Sequence, residues 1–138
     1  MALYFEDVQV GTQVTPLVKH PTTRQLVMWA GASRDFVEQH YDKDNAMDRG
    51  LPGVIVHGAL KASWLGQLIT DWIGTNGILK ELKCRYRGID YPGTEITCRG
   101  KVIKKYIEDG EHLIVCEIWT ENSKGEQTTT GSATIALP

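Results

Sequence analysis

The stretch between positions 60 and 73 constrains this chain more than any other. Leu60, Trp64, Leu65, Leu68, Ile69, Trp72 and Ile73 recur at intervals of three and four. That spacing predicts a helix of about four turns with a broad apolar face, terminated by Gly74 and Gly77. Such a face must be covered by the rest of the chain. The residues beyond Gly77 read as strand. Leu82, Cys84 and Tyr86 alternate with Lys83, Arg85 and Arg87, and Ile96, Cys98, Gly100 and Val102 alternate with Thr97, Arg99 and Lys101. Residues 112–119 are dense in β-branched side chains, and residues 128–137 close the chain with Thr, Ala and Ile. Pro92-Gly93, Asp109-Gly110 and Lys124-Gly125 supply the turns. The four strands are expected to form an antiparallel meander.

One apolar helix followed by an antiparallel sheet implies an α+β fold. The economical packing is a curved sheet wrapped around the helix, the hot-dog arrangement. A half-covered helix and an open sheet edge would favour pairing with a second chain. At 138 residues, with no repeat or linker visible, positions 1–138 read as a single domain. Ahead of the helix, residues 4–21 read as a strand or extended arm. Thr22 or Thr23 offers an N-cap to a helix carrying Leu26, Val27, Ala30 and Trp29, which ends near Gly31–Ser33. Asp42–Asp48 suggests a short helix, stopped by Gly50-Leu51-Pro52-Gly53. Val54-Ile55-Val56 is a β-branched run broken by His57-Gly58.

Several function classes are disfavoured. A net charge of −2 offers no basic excess for nucleic acid. The longest apolar stretch is interrupted by Lys61, Gln67 and Asp71, so no membrane span is expected. Residues 1–11 lack the pattern of a secretory signal, and three cysteines without CxxC spacing read as reduced, buried thiols. A cytoplasmic location is the expectation. His20, His40, His57 and His112 show no metal-ligand spacing. A calcium loop starting at Asp42 fails because Met47 and Gly53 occupy its glycine and glutamate positions. No GxGxxG or P-loop run is present. Trp29, Trp64 and Trp72 fit core positions or the lining of a ligand tunnel. Arg85, Arg87, Lys101, Lys104 and Lys105 fit a solvated sheet face, or contacts to an anionic ligand.

The residues with chemical potential lie ahead of the apolar helix. Asp35 and His40, five apart in one loop, are able to meet around a single water and exchange its protons. Gly58, at the helix start, lets a ligand carbonyl approach free backbone N–H groups. His57 is a candidate for binding substrate beside it or for pinning the turn.

Ala30-Gly31-Ala32-Ser33-Arg34-Asp35-Phe36, with His40, Asp42 and Ala46, resembles the MaoC-like hydratase motif. Gly50 to Gly58 is similar to that family's segment before the central helix, and Tyr91-Pro92-Gly93-Thr94 to its turn before a sheet strand. Between Asp35 and His40 the chain has Val37-Glu38-Gln39, where many members have Asn-Pro-hydrophobic. The resemblance implies a hot-dog enoyl-CoA hydratase, or 3-hydroxyacyl-CoA dehydratase, adding water to trans-2-enoyl thioesters. Asp35 and His40 would be the acid–base pair, with Gly58 and His57 at the oxyanion and substrate-binding position. No metal or redox cofactor is implied, and coenzyme A enters as part of an acyl-CoA (or acyl carrier protein) substrate. A homodimer is implied, or a heteromer with another hot-dog subunit. The alternatives are a hot-dog thioesterase and a non-catalytic or bulky-substrate (steroid-type) subunit of a heteromeric hydratase.

Overall fold

Asp109 and Gly110 both hold positive φ, 51° and 77°. That is the backbone of a two-residue hairpin turn, and glycine reaches it without steric cost. The turn joins β3 (Ile96–Glu108) to β4 (Glu111–Glu121). In the computed structural model, which describes residues 2–138, β4 pairs in turn with β5 (Gln127–Leu137). These three strands form the expected meander. The remaining two take the flanks. β1 (Gln13–Lys19) pairs with β3, and β2 (Ile78–Tyr86) pairs with β5, so the antiparallel order is β1-β3-β4-β5-β2.

Here the expectation of a four-strand meander is corrected. β2 does not pair with β3, the next strand in sequence; it crosses to the far edge of the sheet. The approach depends on Gly131, because a Cβ there would overlap the Lys83 carbonyl oxygen of β2. The extended arm of residues 4–21 resolves into a single-turn 3-10 helix (Phe5–Asp7) followed by β1. Its start is tied to the chain end, where the Phe5 N–H donates to the Pro138 carbonyl.

α1 (Thr23–Ser33) begins at Thr22, whose hydroxyl accepts from the Gln25 N–H. It ends at Arg34, a non-glycine residue at φ 63° that turns the chain sharply. A 3-10 turn (Glu38–His40) and α2 (Lys43–Asp48) come next. Asp42 is the N-cap of α2, which is what replaces the rejected calcium loop.

α3 (Gly58–Ile73) lies in the cradle of the sheet. Leu60, Trp64, Leu65, Leu68, Ile69 and Ile73 are buried against Ile96, Val102, Ile114, Ile118 and Ile135. Each such aliphatic side chain stabilises the fold by about 1.5–3 kcal/mol relative to exposure. Trp29 and Trp72 pack, partly buried, on the same core. Cys98 and Cys116 are buried free thiols, and burial pushes both up to about 12. Lys105 departs from the solvated-face reading: its ammonium donates to the Val8 carbonyl and lies 4.4 Å from the centre of the Phe5 ring. Among the described residues no helix is long and apolar enough to cross a membrane.

Candidate functional site

Residues 34–57 cross the N-terminal end of α3, mostly as irregular chain. Two backbone bonds fasten them. The Ile55 N–H donates to the Gln39 carbonyl, and the Val56 N–H donates to the Asp90 carbonyl. This brings Asp35, His40, His57 and Gly58 to one place, though they come from different parts of the segment.

The His40 Nδ1 lies 2.8 Å from the Ile55 carbonyl oxygen. A carbonyl only accepts, so Nδ1 carries the proton. In the neutral ring Nε2 then bears the lone pair. That Nε2 faces the Asp35 Oδ2 at 3.9 Å, beyond direct hydrogen-bond range. A water between them can donate one O–H to each, leaving its own lone pair free. Asp35 is also held from its own segment. Its N–H donates to the Ser33 hydroxyl, and its Oδ1 accepts from the Val37 N–H at 3.4 Å. Val37 has no amide side chain, yet its backbone supplies a donor to the carboxylate.

His57 is fully buried. Its ring stacks on His40, with centres 3.8 Å apart and planes 18° from parallel. Its Nε2 donates to the Asp35 carbonyl at 3.3 Å, and its Nδ1 has no partner among the described residues. Burial lowers its pKa first, and the neighbouring His40 lowers it further. His57 is therefore held neutral behind the other two residues.

Gly58 is the first residue of α3, and its N–H has no partner within the helix. A Cβ here would come 3.1 Å from the Tyr86 ring. Asp35, His40 and Gly58 line one cavity of about 420 Å³, together with Gln39, Lys61 and Tyr86. His57 is not among its walls, so the expected substrate contact of His57 is replaced by a supporting place behind His40. A second cavity of about 490 Å³, lined by Val27, Pro52, Val54, Tyr91 and Pro92, also reaches His40.

Ligand atoms of Asp35, His40 and His57 all lie within 4.8 Å of one another. That arrangement does not suit a metal. Stacked imidazoles hold their lone pairs in two nearly parallel planes, and these cannot converge on one ion at the ~2.1 Å that His–metal bonds need.

Sequence reasoning missed Lys61 and Asp90, which form a buried ion pair at the cavity wall. One signal was present. Lys61 stands four and seven residues before Leu65 and Leu68, on the apolar face, where a lysine needs a partner.

The model of the MaoC like domain matches residues 7–124. The chain is 27% identical over 128 residues to the 3-oxo-4,17-pregnadiene-20-carboxyl-CoA hydratase beta subunit of Mycobacterium tuberculosis, covering 93% of this chain and 94% of that one. It superposes on a chain of the ChsH1-ChsH2 complex from the same organism with a TM-score of 0.83, at 24% identity, covering 95% of this chain and 99% of the other. It superposes on the R-hydratase PhaJ1 of Pseudomonas aeruginosa with a TM-score of 0.89, at 21% identity, covering 99% of this chain and 86% of the other. The two structural likenesses establish the hot-dog fold. With the domain match spanning most of its length, the chain belongs to the MaoC-like family.

Proposed function

We propose that this chain is a hydro-lyase that adds water reversibly across a trans-2-enoyl thioester. One observation carries the reading. The Asp35 carboxylate and the His40 Nε2, the ring nitrogen turned away from the Ile55 carbonyl, face each other at 3.9 Å, in the cavity that also exposes Gly58 at the start of α3. The thioester carbonyl takes its place at the Gly58 N–H, where the helix N-terminus favours the negative charge that develops on oxygen. Water held between Asp35 and His40 attacks Cβ. As the C–O bond forms, the pair takes one water proton, and the π electrons move toward Cα and the carbonyl oxygen. The proton then returns to Cα, so that OH and H have been added and the pair is restored. Dehydration is the reverse. No step calls for a metal or redox cofactor; coenzyme A is the carrier of the substrate.

The exposed apolar side chains of Tyr86 and Ile89 at this cavity, with exposed Phe36 and Val37 following Asp35 in the chain, suit coverage by a second hot-dog chain. A heteromeric assembly and a bulky, ring-bearing acyl-CoA form the second reading of substrate and partner. It is favoured by the 27% identity to a steroid-type hydratase subunit.

The test measures loss of the enoyl-thioester ultraviolet band beside free-thiol release, using crotonyl-CoA and a ring-bearing enoyl-CoA. Loss of the band without thiol is the expected result. Thiol release would replace this reading with a thioesterase. Inactivity on both substrates, with activity restored by a second hot-dog chain, would make this a subunit of a heteromer.

A further inference from the structure

Lys61 and Asp90 are each 2% exposed, and their charged ends lie 3.0 Å apart. The Lys61 ammonium also donates to the Gly88 carbonyl at 3.0 Å. Desolvation offsets much of the attraction in a buried pair, and apolar residues of similar volume are commonly as stable. Core stability alone therefore does not account for two charges here. Their connections do. Lys61 stands one turn beyond Gly58 on α3 and lines the same cavity. Asp90 uses its carbonyl to accept the Val56 N–H at 2.9 Å, one residue before His57. Gly88 continues the chain from Tyr86, whose ring faces Gly58. One ammonium thus joins three walls of the cavity: the first turn of α3, the loop leaving β2, and the run that delivers His57.

We propose that Lys61, acting through Asp90 and Gly88, is a positioning residue for hydration. It fixes the Gly58 N–H relative to the Asp35–His40 pair. The inference rests on the hydratase reading of this site. Its physical basis is that a displacement of about 1 Å between reacting groups costs on the order of 10²-fold in rate. The role proposed for Lys61–Asp90 is to hold the reacting groups in register rather than to bind substrate, so its removal is expected to change kcat more than KM.

The experiment compares wild type with Lys61→Met/Asp90→Leu, which removes both charges while filling the space, and with Asp90→Glu, which keeps both charges but lengthens one arm by a methylene. Three quantities are read: thermal midpoint, kcat and KM on an enoyl-CoA, and the NMR ring signals of His40 and His57. The double variant is expected to melt no lower than wild type, with kcat down by about 10–100-fold, KM within about threefold, and displaced ring signals. Asp90→Glu is expected to lower kcat in the same manner. Wild-type kcat and unmoved ring signals in whichever variant folds would overturn the proposal. If wild type hydrates no enoyl thioester, either alone or with a second hot-dog chain, the hydratase reading fails, and the ring signals alone decide whether Lys61–Asp90 positions the site.

Discussion

The imidazole rings of His40 and His57 lie face to face, 3.8 Å between centres, with the second ring sealed from solvent behind the first. Two protonated rings at that distance would repel strongly, and burial already disfavours charge on His57. Both effects favour a neutral His57, and in the proposed mechanism proton exchange falls to His40.

The first expectation concerns pH and stability. The folded pKa of His57 lies below its ordinary value of 6.5, by desolvation and then by His40. Below that pH the unfolded chain takes up a proton that the folded chain refuses. The corresponding stability is fully present above about pH 6.5 and is lost as pH falls toward the folded pKa. The urea midpoint should fall between about pH 7.5 and about pH 5.5, and His57→Phe should lose less over that interval. An equal loss in the variant would show that another group is responsible.

Asp35→Asn and His40→Ala should each lower kcat by about 10²–10⁴-fold, with thermal midpoints close to wild type. Asp35→Asn replaces one acceptor by an amide, which holds the water with the wrong polarity. Near-normal turnover in either variant would remove the pair from the mechanism.

Gly58 offers a separable test. The nearest atoms that a Cβ there would meet belong to the ring of Tyr86, an exposed side chain able to give way. Gly58→Ala should therefore fold yet lose at least about tenfold in kcat, because the methyl group stands where the thioester approaches. Adding Tyr86→Ala should not restore it. Recovery in the double variant would mean that Gly58 serves only to make room for Tyr86.

Gly131→Ala should be costly for a different reason. The added methyl would overlap the Lys83 backbone of the paired strand, and a ladder cannot yield as a side chain can. A loss of about 2–4 kcal/mol in unfolding free energy is expected from chemical denaturation. A loss below about 0.5 kcal/mol would contradict the tight β2–β5 pairing.

The legible parts of this fold are those with uninterrupted period. α3 runs over Gly58–Ile73, where three- and four-residue spacing and the terminating Gly74 place it. β4 and β5 begin and end within two residues of the sequence reading. β3 runs longer than its alternation, to Glu108, because the register shifts between Val102 and Lys104. A bulge of that kind exchanges inward and outward positions and conceals the continuation. The start of β2 is concealed for the same reason, with a shift between Leu79 and Glu81. Strand order is not legible, since alternation says which face is buried and not which strand lies beside it. Asp35, His40 and Gly58 stand out through local spacing and family resemblance. Lys61–Asp90 is hidden because its partners stand far apart in sequence, and only the folded chain joins them.

The segment over the N-terminus of α3 has a consequence for how this protein can change. Residues 34–57 contribute the proposed acid–base pair but little of the apolar core, which rests on α3 and the sheet. Folding and chemistry thus have largely separate addresses along the chain. Gln39 lines the cavity and is only partly buried, so substitutions there are able to reshape what the cavity accepts while the scaffold beneath keeps its cohesion. A library restricted to the exposed positions of that segment, leaving Asp35 and His40 in place, would explore substrate range with few unfolded members, whereas the same number of changes in β4 would mostly explore collapse.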